Sequence, residues 1–187
     1  MLRKGNRIGN TRKFCKLSSN GILFQERQAE ENLQNKGSKK MELTFESWTV
    51  DDLPKIANLE RETFRQFWTQ KMLEDSFLLP NVLTLAAKNA EAEVVGYIFG
   101  LIGNDSVDIA NLAVTKQYAR QKIATQLLQK FEILVRERQI YQIFLEVRVS
   151  NSAAIQLYLK NGFVGKYARL RYYDDGEDAL VLHKTVI

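Results

Sequence analysis

From residue 43 onward the hydrophobic period of this chain switches between two and 3.6, and the order of the switches is what most restricts its fold. "LTFESWT" (43–49) alternates like a half-buried strand. "VDDLPKIANLERETF" (50–64) sets Leu53, Ile56, Leu59 and Phe64 at helical spacing, with Asp51 placed to cap and Pro54 near the first turn. A short helix is expected from Thr69 to Phe77, with Pro80 beyond its end. "VLTLAAK" (82–88) and "EVVGYIFGLI" (93–102), joined by polar residues, read as a hairpin, and "VDIANLAVT" (107–115) as a further strand. Ile123, Leu127, Leu128, Phe131, Leu134 and Val135 predict a helix over 122–138. "YQIFLEVRV" (141–149) is a strand, and 150–163 a helix capped by Ser150 or Asn151 and ended by a left-handed Gly162. Strands around 163–173 and 178–186 flank "DDGE".

The order β, α, α, β, β, β, α, β, α, β, β contains no internal repeat. It describes a single α/β domain: a mixed, mostly antiparallel sheet of about seven strands with about four helices packed on it. The βα junctions at 115–123 and 149–152 fall at the carboxyl ends of strands, where such sheets bind ligands.

Charge has to be divided along the chain before it means anything. Of 27 Lys/Arg and 22 Asp/Glu, residues 1–40 hold ten and three, a balance of +7, which leaves −2 for residues 41–187. The body is mildly acidic and lacks a basic patch for phosphate backbone, so no nucleic-acid partner is expected. One cysteine, Cys15, and one histidine, His183, supply neither a disulfide framework nor a cysteine- or histidine-based metal cluster, and no metal is expected. His183 reads as a surface residue, and Cys15 has no assigned role. No apolar run approaches the roughly 18 residues of a membrane span. A cytoplasmic location is expected.

Three readings remain open for residues 1–40. "GILF" is too short for the apolar core of a secretory signal. Residues 1–24 have the basic, serine-bearing, acid-poor character of a transit peptide, which "ERQAEENLQ" then breaks. Thirdly, the folded pattern begins at once with "MELTFESW", and A-rich codons for "KGS" would put a purine-rich AAAGGAAG just ahead of the Met41 codon, like a bacterial ribosome-binding site. Met41 would then be the true start. Residues 1–40 are expected to be a basic, disordered extension, and 41–187 the functional domain.

"LEVRVSNSAAIQLYLKNGF" (145–163) and "RYYDDGEDALVL" (171–182) resemble the GNAT family of N-acetyltransferases, and within it the enzymes that acetylate protein N-termini, including bacterial ribosomal-protein-alanine acetyltransferases. The likeness spans essentially all of residues 41–187. It implies acetyl-CoA as co-substrate, held in a splayed gap of the sheet, and direct attack by an amine in a ternary complex. The implied acceptor is a protein or peptide N-terminus, a ribosomal protein among the candidates. An α-amine with pKa near ~7.8 costs about 1 kcal/mol to deprotonate at pH 7, against about 4.6 kcal/mol for a lysine amine near ~10.4, so a modest base suffices.

Glu146, on an otherwise apolar strand, matches the family's general base, and Tyr158 its general acid, donating to the coenzyme sulfur. As an ordinary strand residue Glu146 would pair with Arg148 or a lysine. Asn151 matches a coenzyme-contacting position and can also be a simple helix cap. Leu112, Ala113 and Val114 match the strand whose backbone holds the pantetheine arm. Tyr172 and Tyr173 are candidates for one wall of the acceptor pocket, and Phe67 and Trp68 for the opposite wall. Two other readings stay in view: the same fold acting on lysine side chains or small amines, and a domain that binds CoA or a protein without turnover.

The phosphate loop departs from the family pattern. Its positions fall on Ala119, Arg120, Gln121, Lys122, Ile123 and Ala124, followed by Thr125, with Ala119 in place of the family's Gln or Arg and Lys122 where it has glycine. Lys122 is expected at negative φ, entering the helix with its side chain swung outward, so that backbone N–H groups form the cradle while Lys122 and Arg120 add charge attraction.

Overall fold

Seven strands form one sheet in the order β1-β2-β3-β4-β5-β7-β6, in a computed structural model that describes residues 42–186. The expectations for residues 1–40 and for Met41 as the start lie outside the described residues. In chain order the elements are β1 (Thr44–Glu46), α1 (Leu53–Thr63), α2 (Gln70–Phe77), β2 (Val82–Lys88), β3 (Val94–Ile102), β4 (Ser106–Val114), α3 (Ile123–Glu137), β5 (Gln142–Arg148), α4 (Ser152–Lys160), β6 (Val164–Arg169) and β7 (Ala179–Thr185). Two short 3-10 turns, Val50–Asp52 and Lys116–Tyr118, precede α1 and α3. This is the expected α/β architecture, with strand and helix in the expected order.

Local chemistry accounts for the elements and their ends. The β2–β3 hairpin turns on Asn89, whose side-chain oxygen accepts from the N–H groups of Glu91 and Glu93 at 3.1 and 2.8 Å. The residue ahead of α1 is Asp52 rather than Asp51, and it makes no side-chain cap bond into the helix; its carboxylate instead closes a capping box on the preceding 3-10 turn, accepting from the Thr49 N–H at 2.8 Å and hydroxyl at 2.9 Å. β1 stops at Glu46, short of the expected Thr49, because the Trp48 N–H turns to the Thr84 hydroxyl. β6 ends at Arg169, where the chain turns through a left-handed Arg171 at φ 51°. Gly162, at φ 86°, makes the expected left-handed exit from α4.

Every neighbouring strand pair is antiparallel except β4–β5. A parallel pair needs a crossover, and α3 supplies it. Its stripe of Ile123, Leu127, Leu128, Phe131 and Val135 is fully buried, each side chain contributing about 1.5–3 kcal/mol. A second apolar cluster joins α1 and α2 to the sheet: Ile56, Leu59 and Leu73 meet Trp48, Tyr97 and Phe99.

The sheet is opened deliberately near its middle. β4 and β5 pair only from Ser106↔Gln142 to Ile109↔Leu145, although β4 continues along β3 to Val114 and β5 along β7 to Arg148. The break coincides with a bulge. Phe99 faces Asn111 and Gly100 faces Ile109, so Ala110 is an extra residue that bends β4 away from β5. Gly100 permits this approach, since a Cβ there would lie 2.7 Å from the Asp108 carbonyl oxygen. Beyond the bulge the two strands diverge and a cleft begins.

Candidate active site

The cleft, about 460 Å³ in volume, lies between the diverging ends of β4 and β5. Along β5 the side chains alternate: Ile143, Leu145 and Val147 are buried, and Phe144, Glu146 and Arg148 are half-buried on the opposite face. Glu146 and Tyr158, twelve residues apart in sequence, line the same cleft, with Leu112 and Asn151. The Glu146 carboxylate is paired at 3.0 Å with Arg169 of β6, not with Arg148 or a lysine.

Tyr158 reaches the cleft from the buried side of α4, packing edge-on against Phe163 with ring centroids 5.7 Å apart. Burial first, and then the neighbouring Tyr173, push its phenol above the usual tyrosine value, which keeps it protonated as a hydrogen donor. Its hydroxyl has no hydrogen-bond partner among the described residues. Asn151 performs the capping half of its expected double duty, accepting from the Ala154 N–H at 3.1 Å. Among the described residues its amide nitrogen carries no such bond.

The residues expected on the acceptor side fall in different places. Tyr172 and Tyr173 both line the cleft, stacked edge to face at 5.1 Å. Trp68 lines it too, packed on Phe99, but Phe67 does not: it is exposed and absent from the lining. The reason is local. The Trp68 N–H is tied to the Glu60 carboxylate at 3.1 Å, which turns the indole inward and its predecessor outward. Phe64, at the end of α1, takes the inner place.

A second cavity of about 430 Å³ is lined by Val114, Arg120, Lys122, Ile123, Ala124 and Thr125, with Lys160 of α4 opposite. Ala113 points away into the core, and Gln121 is outside the lining, its amide donating to the Gln117 carbonyl at 3.3 Å. The first N–H groups of a helix have no partner within it, and at this helix start no side chain caps them either. With Arg120, Lys122 and Lys160 around it, the corner carries positive charge of the kind that attracts an anion.

Here the expected conformation of Lys122 is overturned. It lies in the left-handed region at φ 62°, ψ 15°, and Arg120 at φ 61°. The chain leaves one 3-10 turn and enters α3 within a few residues, and left-handed residues make so sharp a corner. The missing glycine is therefore a real cost, about 1 kcal/mol for an L residue. Lys122→Gly should raise unfolding stability by about 0.5–1 kcal/mol after the added freedom of the unfolded chain, or about 2 °C in Tm. Lys122→Ala, which keeps the left-handed cost, should show no such gain in thermal denaturation. A loss in the glycine variant would mean that the lysine side chain itself holds the corner.

Two residues in or just behind the cleft wall carry no simple sequence signal. Glu60, on the buried face of α1, accepts from the Tyr97 hydroxyl, from Asn111 at 2.6 Å and from the Trp68 N–H. Burial raises its pKa above the usual glutamate value despite these donors. Its position among Ile56, Leu59 and Phe64 was a visible hint, because a charge in an apolar stripe must find partners. Arg148 is the other such residue. It bonds Asp175 at 2.9 and 3.0 Å, Glu177 at 2.7 Å and Gln66 at 3.1 Å, and stacks 3.8 Å from the Tyr173 ring centroid.

Comparison with known proteins now bears on this geometry. Residues 53–163 match the family model described as the acetyltransferase (GNAT) family. The chain is 30% identical over 145 residues to the [ribosomal protein bS18]-alanine N-acetyltransferase of Escherichia coli, covering 74% of this chain and 95% of that protein. It is 29% identical over 161 residues to the N-alpha-acetyltransferase of Saccharolobus solfataricus, covering 79% and 96%. The crystal structure of the ribosomal-protein-S18-alanine N-acetyltransferase from Escherichia coli superposes with a TM-score of 0.71 at 27% identity, covering 78% of this chain and 94% of that one.

Proposed function

The chain belongs to the acetyltransferase (GNAT) family and is thus an acyltransferase, and we propose that it transfers the acetyl group of acetyl-CoA to the N-terminal α-amine of a protein or peptide. The observation that carries this reading is the convergence of Glu146, Tyr158 and the Tyr172–Tyr173 loop on one cleft in the opened sheet. The relatives' names make a ribosomal protein the first acceptor to try. Such an acceptor would place the reaction in the cytoplasm.

The residues present fit the coenzyme. Beyond the bulge, β4 has lost its partner on the β5 side, leaving backbone groups of residues 110–114 to hold an amide-bearing arm. The cationic corner at the start of α3, with Arg120, Lys122 and free N–H groups, suits a pyrophosphate. When bound, acetyl-CoA supplies the activated acyl group as a thioester. Glu146 takes the proton that the α-amine must lose. Tyr158 gives its proton to the departing sulfur as one C–N bond forms and one C–S bond breaks, and the cycle closes when the proton taken by Glu146 is given up and the Tyr158 phenolate regains one. Asn151 and the α3 corner position the coenzyme, and Trp68, Tyr172 and Tyr173 the acceptor.

Thiol release from acetyl-CoA, measured across a panel of short peptides, tests the reading. Peptides with a free N-terminus should turn over and the same peptides with a blocked N-terminus should not. Equal turnover of blocked peptides bearing an internal lysine would move the activity to side-chain amines. Silence across the panel, with acetyl-CoA still bound, would leave a coenzyme-binding domain.

A further inference from the structure

Three chain segments that meet around the cleft are far apart in sequence: the α1–α2 connector with Gln66, the β5–α4 turn with Ser150, and the β6–β7 loop from Tyr173 to Asp178. One side chain joins them. The Arg148 guanidinium spends one nitrogen on Asp175 and Glu177 and the other on Gln66, while its plane covers Tyr173. Glu177 passes the connection on by accepting from the Ser150 N–H at 2.9 Å. Gln66 completes it by donating to Asp174. A planar fork is suited to this, since a lysine ammonium could not serve two directions and a ring face at once.

We propose that Arg148 is a positioning residue for the acceptor: it clasps the Gln66 connector to the β6–β7 loop, and so sets how firmly the first residues of the acceptor are held against Glu146. The inference rests on the acetyltransfer reading above and adds a specificity element to it. Arg148 lines the same cleft face as Glu146, two residues along β5. Three of its five N–H donors are engaged by Asp175, Glu177 and Gln66, and the two carboxylates keep the guanidinium ionised, so it has no role as a proton donor to reactants. Its bonds cross the rim at the exposed Gln66 alone, with exposed Asp175 and half-buried Glu177 on the other side, which makes the clasp weak enough to tune binding without determining the fold.

Steady-state kinetics with a reactive peptide test this, using Arg148→Ala, Arg148→Lys, Gln66→Ala and the Arg148→Ala/Gln66→Ala pair. The expected result is an acceptor KM raised about tenfold in Arg148→Ala and about threefold in Gln66→Ala, with kcat changed far less and acetyl-CoA affinity kept. The double variant should fall short of the product of the two single effects, because both remove the Arg148–Gln66 bond and Gln66→Ala adds only the loss of the Gln66–Asp174 link, and Arg148→Lys should not restore KM. A fall in kcat at unchanged KM, full rescue by lysine, or additive effects in the double variant would overturn the proposal. Hydrogen exchange of the unliganded protein gives a reading free of turnover: residues 172–178 should lose protection in both single variants, and unchanged protection would refute the clasp. If the parent protein acetylates no peptide, the functional reading falls and the acceptor role falls with it, while the exchange experiment still decides whether the clasp exists.

Discussion

Glu146→Gln should lower kcat/KM for a peptide acceptor by about a hundredfold or more at neutral pH, the usual scale for removing a general base. The substitution keeps shape but removes the carboxylate's charge and with it the ability to take a proton. Its cost to stability should be small, because the ion pair it breaks is partly exposed on both sides, and such pairs are worth about 0–1 kcal/mol. The deficit should also depend on pH in a particular direction. Above the α-amine pKa of about 7.8 the acceptor arrives already neutral, so the variant should recover part of its rate as pH rises towards 9. Measuring kcat/KM for both proteins from pH 6 to 9 checks size and slope together. Equal kcat/KM at pH 7 would remove Glu146 from the role of base.

Glu60 is buried just behind the cleft-lining Trp68 and Asn111, and Glu60→Leu should be strongly destabilising, by about 3 kcal/mol, or about 6–12 °C in Tm for a domain of this size. Leucine fits the apolar surroundings but leaves the Tyr97 hydroxyl, the Asn111 amide and the Trp68 N–H facing a hydrocarbon. Glu60→Gln should cost only about 1 kcal/mol, since an amide can still accept from some of these donors. The pH dependence separates the two effects. Burial holds the Glu60 pKa above the ordinary glutamate value, so between that value and the raised one the folded state keeps a proton that the unfolded state has lost. Its contribution is therefore complete at low pH and falls as pH rises through the folded pKa. The gap between the parent and Glu60→Gln should narrow over that interval in denaturant titrations. A gap that widens with pH would show that the three donors outweigh burial and hold the carboxylate ionised.

What could be read from the residues alone divides along a physical line. β2 matches its expected limits from Val82 to Lys88, and α3 differs by one residue at each end, because period and apolar content belong to the segment itself. The meeting of Glu146 and Tyr158 in one cleft follows from a strand, a capped turn and a helix that are contiguous in sequence. Contacts between distant segments left no such trace. Nothing near Arg148 announces Gln66, 82 positions away, and nothing near Glu146 announces Arg169. Phe67 and Phe64 are equally aromatic, and only the anchoring of Trp68 by Glu60 decides which one turns inward. Lys122 failed for another reason: an L residue at positive φ contradicts local preference, and the strain is imposed by the corner it occupies.

The interruption between β4 and β5 has a consequence beyond making room. It leaves the sheet as two panels, β1 to β4 on one side and β5, β7 and β6 on the other, stitched by only four residue pairs. α3 lies over the first panel, where its apolar stripe meets β2 and β3, so it does little to reinforce the stitching. The seam between the panels is the natural line of sub-global opening in this molecule. A molecule lodged across it would act as a rivet, and the place where chemistry is proposed is also the place where the protein has most rigidity to gain.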